Sequence, residues 1–313
     1  MKRLISIVTP CFNEEANVRL HFERVGAAVA PLRDKYEFEH VYTDNASTDR
    51  TFELLSALAA EHKNLRVLRF SRNIGANRAI IMGLHHAKGD AAILIQGDLQ
   101  DPPELIPEFV KGWEEGFDVV YGQIKRREES GVMQAARRLY YKTVAALSDV
   151  PPPVNAGEFR LTSRRVLDAL EDYHEDDLYL RGAVAHVGFP QKALPFERAK
   201  RHGGRSSIGL FGLIGYGLNG LLSTSSIAPI RAVVICGLAL SAFGFVLTCG
   251  IAATKFLFPG QAPRGVTMLA TLITFFAGAQ LFAIGIIGEY IRKIYVQSLR
   301  LPRGFVRDRV NFP

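Results

Sequence analysis

Short apolar runs, each ending in a polar and turn-forming segment, set the rhythm of the first hundred residues. Leu4 to Val8 (LISIV) is the first, and it ends in Thr9-Pro10-Cys11-Phe12-Asn13-Glu14-Glu15. Val18, Phe22, Val25 and Val29 then recur at the three-to-four spacing of one helix face. His40 to Thr43 is a second run and leads into Asp44-Asn45-Ala46-Ser47-Thr48-Asp49, where Ser47 or Thr48 is placed to cap a helix carrying Phe52, Leu55, Leu58 and Ala59. Leu65 to Phe70 is a third run, followed by Arg72-Asn73-Ile74-Gly75 and a helical pattern over Asn77 to His86. Ile93 to Ile95 is the fourth, breaking into Gln96-Gly97-Asp98-Leu99-Gln100-Asp101 and then Pro102 and Pro103, which fix a turn. Strand and helix in strict alternation predict an α/β fold, a parallel sheet with helices on both faces, and the continuous apolar run of Ile93 to Ile95 suits a strand buried on both faces.

In such a sheet, ligands bind in the crevice beyond the carboxyl ends of the strands. Asp98 and Gln100 offer two oxygen-bearing side chains there, suited to a hard divalent cation shared with a diphosphate. Phe12, Asn13 and Glu14 can stack on and hydrogen-bond a nucleobase, Asp44 can accept from a base NH or a ribose hydroxyl, and Arg72 and Arg78 can meet phosphate. A polar turn or a capping sequence accounts for any one of these loops, but four on one edge argue for a ligand site. Neither a glycine-rich dinucleotide fingerprint nor a P-loop is present, which favours a nucleotide held by side chains and a metal.

The pattern changes in the last third. Ala232 to Thr254 and Val266 to Gly288 are each 23 residues without a charge. They are expected to be two bilayer spans, within a hairpin over 231–292. Arg231, and Arg292, Lys293, Arg300, Arg303, Arg307 and Arg309, flank them, against Lys255 and Arg264 between them. That asymmetry predicts a multi-pass protein of the cytoplasmic (inner) membrane with both termini cytoplasmic. Residues 1–205 would then be the cytoplasmic domain, 206–230 an interfacial segment and 293–313 a basic tail. Gln134 to Leu147 and Ile208 to Leu222 read either as segments lying at a lipid interface or as core packing. The net charge of +7, from 38 Lys and Arg against 31 Asp and Glu, suits anionic headgroups and phosphorylated substrates. No nucleic-acid-binding motif accompanies it, so nucleic acid is not the expected partner. Cys236 and Cys249 are too far apart along one helix to pair.

TPCFNEE, DNASTDRT, FSRNIGANRAIIMGL, GDLQDPPE, DVVYG, GEFRL (157–161), RGAVAHVGFPQ (181–191), ERAKRHGGRSS (197–207) and GIIGEYIRKIY (285–295) occur in that order. Together they resemble a family 2 glycosyltransferase of the GT-A fold, more closely the polyprenyl-phosphate glycosyltransferases. The resemblance covers nearly the whole chain. It implies an inverting enzyme that moves a sugar from a nucleotide sugar, a UDP-sugar or alternatively a GDP-sugar, to a polyprenyl phosphate, and a homo-oligomer, a tetramer in the family. Pro10, Phe12, Asn13, Glu14 and Asp44 would hold the nucleoside, and Asp98 and Gln100 would coordinate Mg2+ or Mn2+ on the donor diphosphate. Arg198, Arg201 and Ser206 would reach phosphate from across the cleft. Glu158, in the stretch matching the acceptor side, would orient a sugar hydroxyl or the acceptor, or else be an exposed loop carboxylate. Two departures stand out: Gln96 where the family usually has the first Asp of Asp-x-Asp, and Ser207 where it usually has Lys. A processive polysaccharide synthase and a non-catalytic scaffold with a degenerate metal site are the alternatives.

Overall fold

The structure is a computed structural model that describes residues 2–125, 153, 156–171, 173, 180–197, 237, 243, 265–299 and 302–312. The expected alternation is present: β1 (Arg3–Cys11), α1 (Val18–Val29), β2 (Tyr36–Asp44), α2 (Thr51–Glu61), β3 (Leu65–Phe70), α3 (Ala76–His86) and β4 (Ala91–Leu94). After a 3-10 turn over Pro103–Leu105 come α4 (Ile106–Glu114), β5 (Val119–Ile124), β6 (Ala156–Ser163), α5 (Arg164–Glu171), α6 (Leu180–His186) and β7 (Gln191–Phe196). Further on lie α7 (Val266–Ser298) and β8 (Val306–Val310).

One eight-stranded sheet runs in the order β7-β5-β6-β4-β1-β2-β3-β8. The four strands legible in the sequence form its parallel centre, β4-β1-β2-β3, while β6 and β8 pair antiparallel with their neighbours. Period-two alternation assigns the two faces. Ile5, Ile7, Ile93 and Ile95 pack with Val25 and Val29 of α1 and Phe109, Val110 and Trp113 of α4. Val8, Val41, Leu68 and Leu94 point the other way, against Ile80 and Leu84 of α3, Val166 and Leu167 of α5 and Val184 of α6. β1 is followed by β2 on one side, and the chain returns after β3 to place β4 on the other. The strand order therefore reverses between β1 and β4, the place where such sheets open a crevice.

The last strand departs from expectation. Residues 301–313 belong to the compact unit formed by residues 1–224, and residues 225–300 form a second unit. Val306-Arg307-Asp308-Arg309-Val310, read above as tail, lies antiparallel on β3 with Arg69 opposite Asp308. Asn311 Nδ2 then donates to the carbonyls of Ala59 at 2.6 Å and Leu65 at 2.8 Å, fastening the chain beyond α2.

The membrane expectation is corrected. Crossing a bilayer takes one helix that is both long and sustainedly apolar, and among the described residues no helix is long and apolar enough. The expected second span is part of α7, 33 residues long. The first expected span, the 206–230 segment and the stretch 134–147 lie outside the described residues, apart from Gly237 and Phe243.

Candidate active site

The crevice is built from three loops leaving β1, β2 and β4, and the first two are stitched together. Asn13 adopts a left-handed backbone, φ 55°. Its N–H donates to Ser47 Oγ at 3.0 Å, and its Oδ1 accepts from the Thr48 N–H at 2.8 Å. The Glu14 N–H donates to Thr51 Oγ1 at 2.8 Å, and the Arg50 N–H to Glu15 Oε2 at 3.0 Å. Asp49 accepts from Thr51 at both N–H, 3.0 Å, and Oγ1, 2.6 Å. Asp49, rather than Ser47 or Thr48, thus satisfies the start of α2, while Ser47 joins the two loops. Asn45 extends the seam to the loop after β3: its Oδ1 accepts from the Ile74 N–H at 2.9 Å and its Nδ2 donates to Asn73 Oδ1 at 3.1 Å. The contacts between loops were not read from the sequence, because they join residues 28 to 37 positions apart whose types suit any loop.

Asp44 ends β2 with no solvent exposure. Its Oδ1 accepts from the Ser47 N–H at 3.2 Å. Its Oδ2 has no hydrogen bond among the described residues and faces Arg69 Nε at 3.3 Å. Burial pushes the carboxyl up from its ordinary range, opposed by the Ser47 hydrogen bonds and the Arg69 charge. Nearby, Cys11 reports the local field. Burial first, then the carboxylates of Glu14, Asp44, Asp98 and Asp49, hold its thiol neutral.

The third loop comes very close to the first. A Cβ on Gly97 would lie 3.0 Å from Cys11 Sγ and 3.5 Å from the Pro10 carbonyl oxygen, so a glycine lets the Gln96-Gly97-Asp98 segment approach the end of β1. Asp98 Oδ1 accepts from the Gln100 N–H at 3.1 Å, and Leu99 between them is left-handed at φ 59°. Asn13, Ala46 and Leu99 place three left-handed non-glycine residues on this one sheet edge, the kind of backbone strain that clusters at functional sites. Asp98 and Gln100 both carry a side-chain oxygen, the donor chemistry that Mg2+ and Mn2+ take. Among the described residues no group of three His, Cys, Asp or Glu is placed to hold a metal unaided.

Of the other expected residues, Pro10 is buried in β1, Phe12 is 36% exposed at the crevice and Glu14 is buried. Arg72 is exposed after β3, and Arg78 is half-buried in the first turn of α3. Glu158 is not an exposed loop carboxylate. It lies on β6, with Arg181 Nε at 2.6 Å from Oε1 and Arg160 Nη2 at 3.2 Å from Oε2. Leu94 of β4 pairs with Arg160, and the antiparallel run carries Gln96 and Glu158 to the same edge. Arg198, Arg201 and Ser206 lie outside the described residues.

The family described as glycosyl transferase family 2 matches residues 6–171, the part that builds this edge. The chain belongs to glycosyl transferase family 2. This glycosyltransferase is 33% identical over 312 residues to the putative glycosyltransferase CsbB of Bacillus subtilis (strain 168), covering 99% of this chain and 93% of that protein. It is 33% identical over 305 residues to the bactoprenol glucosyl transferase of Shigella phage SfV, covering 97% and 98%. Among solved structures, the mannosyltransferase PcManGT from Pyrobaculum calidifontis in complex with GDP-Man and Mn2+ is a distant likeness. It is 19% identical, with a TM-score of 0.47, over 91% of this chain and 88% of that one. The sheet is the GT-A-like, mostly parallel α/β architecture expected of this glycosyltransferase.

Proposed function

We propose that this glycosyltransferase moves a sugar from a nucleotide sugar, a UDP-sugar in the first instance, to polyprenyl phosphate with inversion at the anomeric carbon. The observation that carries the reading is the convergence of Asp44, Asp98 and Glu158 on the edge where the strand order reverses. The full-length likeness to a bactoprenol glucosyl transferase supports the acceptor.

In this reading the nucleoside lies against Pro10, Phe12, Asn13 and Glu14. The orphaned Asp44 oxygen accepts its N–H or hydroxyl, which relieves the cost of a buried acceptor without a hydrogen bond. Because Asn13 Oδ1 already serves Thr48, Asn13 acts by shaping the loop. Asp98 and Gln100 would hold Mg2+ or Mn2+, which when bound neutralises charge on the leaving diphosphate. Arg72, Arg78, Arg198, Arg201 and Ser206 are assigned to the phosphates. The acceptor's phosphate monoester, with a second pKa near about 6, is already ionised near neutrality and needs no strong base. One of its oxygens forms a bond to the anomeric carbon as the bond from that carbon to the diphosphate oxygen breaks. The chain contributes position and charge. Glu158, held between Arg181 and Arg160, accepts from a sugar hydroxyl in this reading.

The test is incubation of the purified protein with undecaprenyl phosphate, Mg2+ or Mn2+ and a panel of UDP- and GDP-sugars, read by mass spectrometry of the lipid. The expected product is the lipid phosphate plus one sugar residue, and chelation with EDTA removes it. Transfer to a soluble saccharide or protein, with the lipid unchanged, would overturn the acceptor.

A further inference from the structure

We infer that Arg69 is a positioning residue of the donor site and that β8, through Asp308, holds it in place, so the nucleoside loops are complete only when residues 304–308 are docked. The inference rests on the assignment of Asp44 to the nucleoside.

Arg69, on β3, was not among the expected site residues. Its Nε lies 3.3 Å from Asp44 Oδ2, and its Nη2 lies 3.5 Å from the Ser47 carbonyl. Its guanidinium carbon sits 4.5 Å from the centre of the Phe52 ring. On the outer side, Nη1 is 3.9 Å from Oδ2 of Asp308, the residue opposite Arg69 in the β3–β8 ladder. A long arginine side chain loses much rotamer freedom when fixed. The aromatic shelf and the opposite charge across the ladder both favour the one orientation that meets Asp44.

The same segment braces the neighbouring loop. The Ser71 N–H donates to the Phe305 carbonyl at 2.9 Å. Gly304 packs so closely on Ile74 that a Cβ there would lie 2.8 Å from Cδ1. Ile74 in turn donates its N–H to Asn45, the residue after Asp44. Residues 304–308 thus reach the loop after β2 by two routes, through Arg69 and through Ile74.

Chemistry explains why this matters. A fully buried carboxylate with no cation beside it takes up a proton. It would then present a hydroxyl rather than the acceptor a nucleoside N–H requires. The groups that face Asp44 are Ser47 and Arg69, which favour its ionised form, and Asp49, which opposes it. Asp308 acts on it only through Arg69.

The experiment is calorimetric titration of the full-length protein with UDP and Mg2+, and in a second arm GDP and Mg2+, over a range of pH. Wild type is compared with Arg69→Gln, Arg69→Lys and Asp308→Ala, with the folded fraction of each measured by thermal denaturation. Arg69→Gln is expected to weaken nucleotide binding about tenfold or more, the scale of one charge-assisted contact. It should also move the acid limb of binding to higher pH, because Asp44 loses the cation that keeps it ionised. Arg69→Lys should recover part of the affinity, and Asp308→Ala should weaken binding by a smaller factor. In turnover the change belongs in the donor KM, with kcat near wild type at saturating donor. Folded Arg69→Gln and Asp308→Ala proteins that bind with wild-type affinity and an unmoved acid limb would overturn the inference. Should wild type itself bind neither nucleotide, the nucleoside assignment falls first and this inference with it.

Discussion

Asp98 is the carboxylate that separates binding from folding. It is half-buried on a loop, where it accepts from the neighbouring Gln100 N–H, and Asp98→Ala is expected to leave the thermal midpoint within a few degrees of wild type while abolishing sugar transfer. Retained turnover would remove it from the site. A second residue-scale prediction concerns His21 and His40, buried between α1 and β2. Burial, and then the charge of Arg24, lower His21 to about 3, and burial holds His40 well below its ordinary value. The geometry agrees, with His21 Nδ1 2.8 Å from Tyr42 Oη and His40 Nε2 2.9 Å from Thr9 Oγ1. Both rings are neutral in the fold, whereas the unfolded chain protonates them near 6.5. Stability is therefore full above about 6.5 and falls as pH drops toward about 3, where the folded His21 also takes up a proton. Urea midpoints at pH 7.5 and 4.5 check this, and a flat profile would mean that the two imidazoles are not buried as described.

At the scale of elements, α3 lies on the sheet at its closest point through Gly83, where a Cβ would be 2.5 Å from Val8 Cγ1 and 3.0 Å from Thr43 Cγ2. Gly83→Ala gains helix propensity yet overpacks that contact, and is expected to cost roughly 1–3 kcal/mol by urea denaturation. A neutral result would show that α3 can shift away from the sheet. The central strands were legible because each carries a short, mostly apolar stretch that ends in a polar turn. Leu65–Phe70 was placed to the residue, and α3 within one residue of its start. β8 was not legible. Arg307, Asp308 and Arg309 give it the composition of a solvated tail, and its strand character comes from pairing with β3, far away in sequence. The same reason hid Arg181 as the partner of Glu158. In the site, residue types at the ends of β1, β2 and β4 could be read, but which of them stitch loops together depends on which loops meet.

For the whole molecule, the chain's last strand is built into the sheet that carries the site. Removing residues 301–313 uncovers the β3 edge, deletes the Asn311 bonds to Ala59 and Leu65 and frees Arg69 on one side. That deletion is expected to lower the thermal midpoint and weaken UDP binding together, and a midpoint equal to wild type would mean that β8 adds nothing to the fold. A chain cut near Ser207 lacks β8 as well, so residues 1–205 are not a complete substitute for the sheet.

The β3–β8 pairing also imposes an order of assembly. During synthesis β3 emerges early, with α1, α2 and α3 available to cover its faces, but its outer edge has no strand beside it until almost the entire remaining sequence has left the ribosome. An unpaired edge is a template for other strands, and a contact this distant in sequence forms slowly. Newly made chains therefore pass through a state in which the sheet is formed and one border is open, when a chaperone, or a second nascent chain, can take the place of residues 306–310.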